Sequence, residues 1–328
     1  RNRCSEANFM SLSIALLDDY QRRAEGAADW ASLQDATVTA FYEHLGDEDA
    51  VVAALQEFDV LVAMRERTRF PASVLERLPN LKLLITAGMR NLAIDMDAAR
   101  SRGITVCGTP MLGYPAAELA WGLVMSLTKR LPWEQQAMRD GLWQSTLASG
   151  LSGKTLGLWG LGKLGQRVAR MAQAFEMDVI AWSENLTDEA AAQHGVRRVD
   201  FDTLLSESDI LCIKIVLSDR TRGKIGRAEL ARMKPTAYIV NTSRGPVIQE
   251  DALIEALQNN VIAGAGLDVF DVEPLPADHV LRTLPNVALT GHTGYVIEEL
   301  YDLVYGEAAR LTGLWRNGAP ESVLNPPS

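Results

Sequence analysis

The scarcities of this chain narrow its class before any motif does. Only three cysteines occur in 328 residues, Cys4, Cys107 and Cys212. They lie far apart and match neither a disulfide framework nor metal-ligand spacing, so no metal is expected and a reducing, cytoplasmic setting fits. Basic residues are outnumbered, 32 Lys and Arg against 42 Asp and Glu, which leaves a net charge of −10. That balance opposes the phosphate neutralisation on which nucleic-acid binding rests, and no nucleic-acid partner is expected. Long apolar runs are also missing. Even "AELAWGLVMSL" is cut off by Lys129 and Arg130, short of the roughly 18 residues of a membrane span, so a soluble protein without a membrane partner is expected. No repeat of fixed period and no low-complexity segment occurs. The first nine residues, "RNRCSEANF", precede Met10 and lack the apolar stretch of a signal peptide; they read as an upstream extension or expression remnant.

What is present is an alternation. "SIALLD" (13–18), "DVLVAM" (59–64), "LKLLIT" (81–86) and "ITVC" (104–107) read as strands separated by helical patterns. A longer helical stretch follows from about Pro115 to Arg130. A second alternation then runs through "TLGLWG", "DVIAWS", "DILCIKI", "AYIVNT", "GAGLDV" and "NVALT". Six strand candidates with helical intervals predict a doubly wound parallel sheet, and the whole chain reads as α/β with two domains. The tail from Val296 to about Trp315 is helical again and would pack back on the first unit.

The second alternation opens on "GLWGLGKLGQ", where Gly160, Gly162 and Gly165 form G-x-G-x-x-G between a strand and a helix. The spacing assigns Gly160 to a tight turn, Gly162 to close approach of a pyrophosphate, and Gly165 to helix–strand packing. Backbone N–H groups at Lys163 and Leu164 would meet an anion at the helix start. After the next strand come Ser183 and Glu184, with no nearby base. An acidic residue there suits the ribose hydroxyls of NAD and repels the extra phosphate of NADP, so NAD is expected, with NADP kept open by the short Ser183.

Three further strand ends carry ionisable residues. "NTSRG" sets Arg244 just past one strand, "LDVFDVEPLP" sets Asp268 at the end of the next with Glu273 five residues on, and "LTGHTGYV" sets His292 after the one that follows. All are expected at the carboxyl edge of the sheet, where ligands of this architecture bind. Arg244 offers a planar, permanently charged fork to a carboxylate. His292 is the residue type that titrates nearest neutrality, and an ionised Glu273 beside it favours its protonated form. Taken singly, each could be a solvated loop residue; one sheet edge explains all of them together. His44, His194 and His279 show no such partners and are expected at the surface.

The constellation resembles the D-isomer-specific 2-hydroxyacid dehydrogenase family. The resemblance runs from about Ile14 to Asn325 and rests on "LKLLITAGMRN", "DAARSRGITVCGTP", "AAELAW", "GKTLGLWGLGKLGQ", "NTSRG" and "LDVFDVEPLP". It implies a Rossmann cofactor domain, about 112–295, inserted in a smaller flavodoxin-like substrate domain made of 10–111 and 296–328. The active site is then expected in the cleft between them, with closure excluding water. It implies that Arg244 orients the substrate, that Glu273 holds His292, and that His292 exchanges the proton with a 2-oxo or D-2-hydroxy acid. Gly88 and Met89 would offer amides to the substrate carboxylate. Asp268, the Thr242–Ser243–Arg244 backbone, His292 and Gly294 would line the nicotinamide. Family members pair through the helices matching "AAELAWGLVMSLTKRLPWEQQAM", a stretch too apolar to lie open, so a homodimer is expected.

Departures from the family pattern are as informative. Gly291 stands where a proline usually precedes the histidine, which removes a fixed φ and predicts a looser loop. "CIKIVLS" has Lys214 and Val216 where His and Pro are common; Lys214 is expected to point to solvent, the alternative being a cation near the cofactor that favours a phosphorylated or strongly acidic ligand. "AGMRN" keeps one glycine, Gly88, of two. "MRERTR" adds Arg65, Arg67 and Arg69, with Arg65 the candidate for an anionic substrate. Two other readings share the fold. One is an NAD-responsive corepressor like the C-terminal binding proteins, disfavoured by the negative charge and the lack of a peptide-docking feature. The other is a formate or phosphite dehydrogenase, and Glu273 argues against formate, where an amide usually partners the histidine.

Overall fold

The computed structural model describes residues 11–327; the extension read at 1–9, Cys4 included, lies outside them. The chain divides into two units, one running to Leu112 and resuming at Val296, the other Gly113–Tyr295. Among the described residues each unit is built on one wholly parallel sheet.

The first unit holds β1 (Leu12–Leu16), β2 (Ala36–Ala40), β3 (Val60–Ala63), β4 (Leu83–Thr86) and β5 (Thr105–Gly108) in the order β2-β1-β3-β4-β5. That is the flavodoxin-like order. β3 and β4 are buried along their whole length, as continuous apolar strings covered on both faces must be. Sequence reading missed β2. Its "ATVTA" lies at the sheet edge with alternating half-buried and exposed residues, so it carries no apolar run to read. Asp47 and Asp95 start the helices Glu48–Leu55 and Met96–Ser101 by accepting from Ala50 N and Ala98 N, which satisfies donors that helix geometry leaves open. The C-terminal helix Glu298–Arg316 buries Leu300, Tyr301, Val304, Tyr305 and Ala308 in this unit.

The second unit holds β6 (Thr155–Trp159), β7 (Asp178–Trp182), β8 (Arg197–Arg198), β9 (Ile210–Ile213), β10 (Tyr238–Asn241), β11 (Gly264–Leu267) and β12 (Val287–Leu289). Their order is β12-β11-β10-β9-β6-β7-β8. The chain therefore reverses direction across the sheet between β6 and β9, the switch point of a doubly wound sheet. The six strands read in the sequence are all present. The seventh, β8, is two residues at the edge, too short to leave a pattern. Period-two alternation sorts side chains between two cores: Leu156, Leu158, Ile210 and Cys212 face one, Trp159, Leu211, Ile213 and Ile239 the other.

The apolar stretch after Pro115 is two helices, Pro115–Thr128 and Leu131–Arg139, broken where Arg130 adopts φ 55. The first buries Ala117, Ala120, Leu123, Val124 and Leu127 within its own unit. Beyond it, Met138, Leu142, Trp143 and Leu147 are exposed, Trp143 at 75% and Leu147 at 96%. Cys107 and Cys212 are both buried free thiols. Among the described residues no group of His, Cys, Asp or Glu has the geometry to hold a metal ion, and no helix is long and apolar enough to cross a membrane.

Candidate active site

The glycine loop lies at the switch point. Gly160 follows β6 with φ +105, and a Cβ there would stand 2.5 Å from the Lys214 carbonyl oxygen just past β9; a Cβ at Gly165 would run into the Gly160 carbonyl. Only glycine fits either place. Around Gly162 the Cβ position is open within 4 Å. Gly162 caps the helix Lys163–Ala174 with no side-chain cap bond, and the N–H groups at Lys163, Leu164 and Gly165 have no carbonyl one turn earlier within the helix. The residues present thus fit a dinucleotide: a tight turn, an uncrowded backbone and a helix N-terminus facing one point. Ser183 is half-buried directly after β7 and Glu184 is exposed beside it.

Across the sheet, three loops converge around His292. Its Nδ1 lies 2.6 Å from Glu273 Oε2, while Phe270 N donates to Glu273 Oε1 at 2.9 Å. Glu273 is held at one oxygen and holds the imidazole with the other. Burial works against its ionised form, yet the bonds from His292 and Phe270 and the charges of His292 and Arg244 outweigh that, and its carboxyl lies below the ordinary value. A carboxylate accepts only, so Nδ1 carries a proton and Nε2 is the nitrogen left for a reacting group. The side chains of His292 and Glu273 are 26% and 33% exposed, and Tyr295 stands edge-on to the imidazole with ring centres 5.6 Å apart.

The loop carrying His292 is organised by Asp268, 1% exposed at the end of β11. Its Oδ1 accepts from Thr290 Oγ1 at 2.6 Å and Thr293 N at 2.7 Å, and its Oδ2 from Gly294 N at 2.9 Å. Loss of the usual proline at Gly291 is therefore met by a carboxylate gripping both flanks of His292, which itself adopts φ 54. Burial pushes the Asp268 carboxyl up, and these donors only partly offset it. The role sequence reading missed is this one: Asp268, Thr290 and Thr293 form one clamp. The two threonines flanking the histidine were the available signal.

Arg244 is set by the chain around it. Asn241 Nδ2 donates to Arg244 O at 2.9 Å, Ser243 N to Asn241 Oδ1 at 3.0 Å, and Ser243 Oγ to Ile213 O at 2.9 Å. The guanidinium donates to Ser243 O at 2.7 Å. Gly245 then packs directly on the next loop, where any Cβ would run into the backbone of Phe270. Arg244 and the Phe270–Glu273–His292 chain are thereby fixed against each other, backbone to backbone.

Lys214 does not point to solvent as the sequence suggested. Its ammonium donates to Ala116 O at 3.2 Å and to Thr242 Oγ1, because the loop after β9 runs under the start of the helix Pro115–Thr128. Burial lowers its pKa to about 8, although Cys212 and Asp268 pull it back up.

In the other unit, Gly88 adopts φ +96 with the Arg65 guanidinium occupying the space a Cβ would take. Arg65 Nη1 donates to Ala87 O at 3.2 Å and its own φ is 57. The Gly88 amide, read as open to a carboxylate, donates to Thr109 Oγ1 at 3.3 Å. That is a long bond, which leaves the amide only weakly engaged. Met89 is 55% exposed. Arg67 is committed elsewhere, to Asp18 O at 2.6 Å and the Tyr301 hydroxyl at 3.3 Å. Two histidines read as plain surface residues have carboxylate neighbours: His279 Nε2 lies 3.2 Å from Glu250, and His44 Nδ1 lies 3.8 Å from buried Asp18. Neither pairing is local in sequence.

A glycine loop at the switch point of a parallel sheet, with a carboxylate-held histidine and an arginine at its carboxyl edge, defines a nicotinamide-dependent dehydrogenase. The model of the family "D-isomer specific 2-hydroxyacid dehydrogenase, NAD binding domain" matches residues 121–294. The hydroxypyruvate reductase of Thermotoga maritima is 39% identical over 258 residues, 77% of this chain and 82% of that protein. The glyoxylate reductase of Thermococcus litoralis is 38% identical over 75% of this chain and 76% of its own length. Among solved structures, a phosphoglycerate oxidoreductase from Vibrio cholerae superposes with a TM-score of 0.89 at 34% identity, covering 94% of this chain and all of that one. The chain belongs to the D-isomer-specific 2-hydroxyacid dehydrogenase family. It is an NAD-dependent enzyme that transfers hydride between the cofactor and a 2-oxo or D-2-hydroxy acid.

The backbone contact at Gly245 gives the first prediction. Gly245→Ala must push the Arg244 loop off Phe270. It should lower kcat/KM by roughly tenfold or more, as a misplaced substrate-orienting group does, while circular dichroism stays near that of the parent; unchanged kinetics would show that the contact does not set the site.

Proposed function

We propose that the enzyme reduces a small 2-oxo acid, of the size of glyoxylate or hydroxypyruvate, with His292 as proton donor. The observation that carries the proton-donor assignment is the 2.6 Å bond between His292 and Glu273; the substrate size rests on the hydroxypyruvate and glyoxylate reductases the chain resembles. Bound NADH supplies the hydride to the carbonyl carbon. As negative charge grows on the carbonyl oxygen, His292 Nε2 delivers a proton to it, and Glu273 stabilises the imidazolium until then. Arg244 meets the carboxylate and polarises the carbonyl. In oxidation His292 works in reverse, as the base. The backbone of Thr242, Ser243 and Arg244 and the clamp of Asp268, His292 and Gly294 line the nicotinamide side, and Gly160, Gly162, Lys163, Leu164 and Gly165 the diphosphate. Ser183 and Glu184 take the adenosine ribose. Gly88, Met89 and Arg65, in the unit that residues 10–111 and 296–328 make up, serve the substrate carboxylate. Two enclosed thiols, with pKa pushed up to about 11 at Cys107 and about 12 at Cys212, fit a reducing, cytoplasmic setting.

The catalytic pair is tested by pH profiles. His292→Gln should lower the reduction rate by roughly 10²- to 10⁴-fold, the usual worth of general acid catalysis, with NADH binding kept. Glu273 is ionised across the neutral range because its pKa is lowered, and its negative charge favours the proton on the ring. Glu273→Gln removes that charge, so reductase activity should fade at lower pH than in the parent and be best preserved in acid. Coincident pH curves for parent and variant, with chemistry rate-limiting, would refute the coupling.

The cofactor and substrate reading predicts that NADH outperforms NADPH in a spectrophotometric screen of glyoxylate, hydroxypyruvate, pyruvate and phenylpyruvate. A preference for NADPH would sink the assignment of Glu184, and inactivity on every acid in protein that binds NADH would sink the substrate class.

We also propose a homodimer, supported by the exposed Met138, Leu142, Trp143 and Leu147, a run of apolar surface of the kind that marks an interface. Sedimentation at micromolar concentration should give twice the chain mass, and Trp143→Glu with Leu147→Glu should give monomers. A parent that sediments as a monomer overturns the proposal.

A further inference from the structure

The proton-transfer reading leaves Lys214 unused, although it occupies the switch point itself. Lys214 is the first residue after β9; its N–H donates to Trp159 O at 2.8 Å, and its carbonyl covers Gly160. Its ammonium is turned inward between Ala116 O and Thr242 Oγ1. Ala116 in turn packs on Gly294, with 3.4 Å from its Cβ to the place a Gly294 Cβ would take, and Gly294 N is bound by Asp268. The Lys214 backbone thus borders the glycine loop, and its ammonium, through Ala116, borders the clamp that holds His292. In a doubly wound sheet the adenosine half lies over the strand after the glycine loop, here β7, which leaves the edge from β9 to β12 for the nicotinamide.

The two forms of the cofactor differ there by one charge. The oxidised nicotinamide ring is a cation and the reduced ring is neutral, while the diphosphate is common to both. A fixed ammonium on this edge opposes the cationic ring and leaves the neutral one untouched. We propose that Lys214 sets the redox preference of the cofactor site, weakening NAD⁺ relative to NADH and so biasing the enzyme toward reduction. The inference rests on NAD occupying the glycine-loop site.

The preference also depends on pH. The charged or titratable groups acting on Lys214 are Cys212 from its own strand and Asp268 from the end of β11; the helix Pro115–Thr128 presents the Ala116 carbonyl and β10 the Thr242 hydroxyl. Cys212 stays neutral, its thiol pushed up to about 12 by burial. Lys214 loses its proton near a pKa of about 8, so the discrimination against NAD⁺ is present below that pH and fades above it.

The test measures Kd for NADH and for NAD⁺ by fluorescence titration and calorimetry, without turnover, from about pH 7 to about pH 9.5, a range spanning the Lys214 value of about 8. In the parent the ratio of the NAD⁺ to the NADH constant should fall across this range. At neutral pH it should exceed that of Lys214→Gln by roughly tenfold, the scale of one unit charge acting through partly screened protein. Lys214→Arg, charged at every pH used, should keep the high ratio and lose its pH dependence. His292 is a second ionisable side chain on this edge, so the series is repeated in His292→Gln, where the fall should persist. A parent ratio flat with pH, a fall abolished by His292→Gln, or a Lys214→Gln ratio equal to the parent's overturns the inference while NAD binding stands. A parent that binds neither form overturns the glycine-loop reading and this inference with it.

Discussion

The site depends on one buried carboxylate. Asp268 contributes no chemistry that a reaction scheme would write down, yet its oxygens accept from residues on both sides of His292. A histidine at positive φ next to a glycine has little local reason to hold one orientation. The orientation comes from a buried carboxyl whose two oxygens answer donors on both flanks in a place almost without water. Glu273 then fixes the ring and Phe270 N–H fixes Glu273. Positioning passes from the end of β11, through backbone amides, to the imidazole of His292.

This arrangement also explains why arginine and histidine share one edge without drifting apart. Gly245 lets the loop after β10 touch the backbone of the loop after β11, so the placement of Arg244 against the Glu273–His292 pair is governed by main-chain contact rather than by flexible side chains. Sites built on the ends of parallel strands gain this rigidity because adjacent strands already share a hydrogen-bond register, here Asn241 opposite Leu267 and Leu267 opposite Leu289.

The parts legible in the sequence were those whose chemistry is local. The glycine spacing, the ionisable residues at successive strand ends and the alternation of strands and helices each sit within a few residues, and so does every strand that carries a continuous apolar run. The parts that were not legible depend on neighbours far along the chain. Lys214 turns inward because Ala116, 98 residues away, supplies a carbonyl above it. His279 meets Glu250 across 29 residues. Edge strands such as β2 and β8 lack the burial that writes hydrophobicity into sequence. The Gly88 amide could be seen as a donor, but not that the Thr109 hydroxyl, 21 residues on, would stand 3.3 Å from it.

Residues 113–295 contain the glycine loop, Arg244, Asp268, Glu273, His292 and every hydrogen bond described among them. The hydrogen-bonded cluster around His292 is thus encoded in one uninterrupted stretch, whereas Arg65 and Gly88 belong to segments that precede it. The bonds described as orienting the imidazole all lie within that stretch and take no donor or acceptor from the segments that flank it. The posture of the histidine is therefore an internal property of one continuous length of chain, fixed as soon as that length has folded.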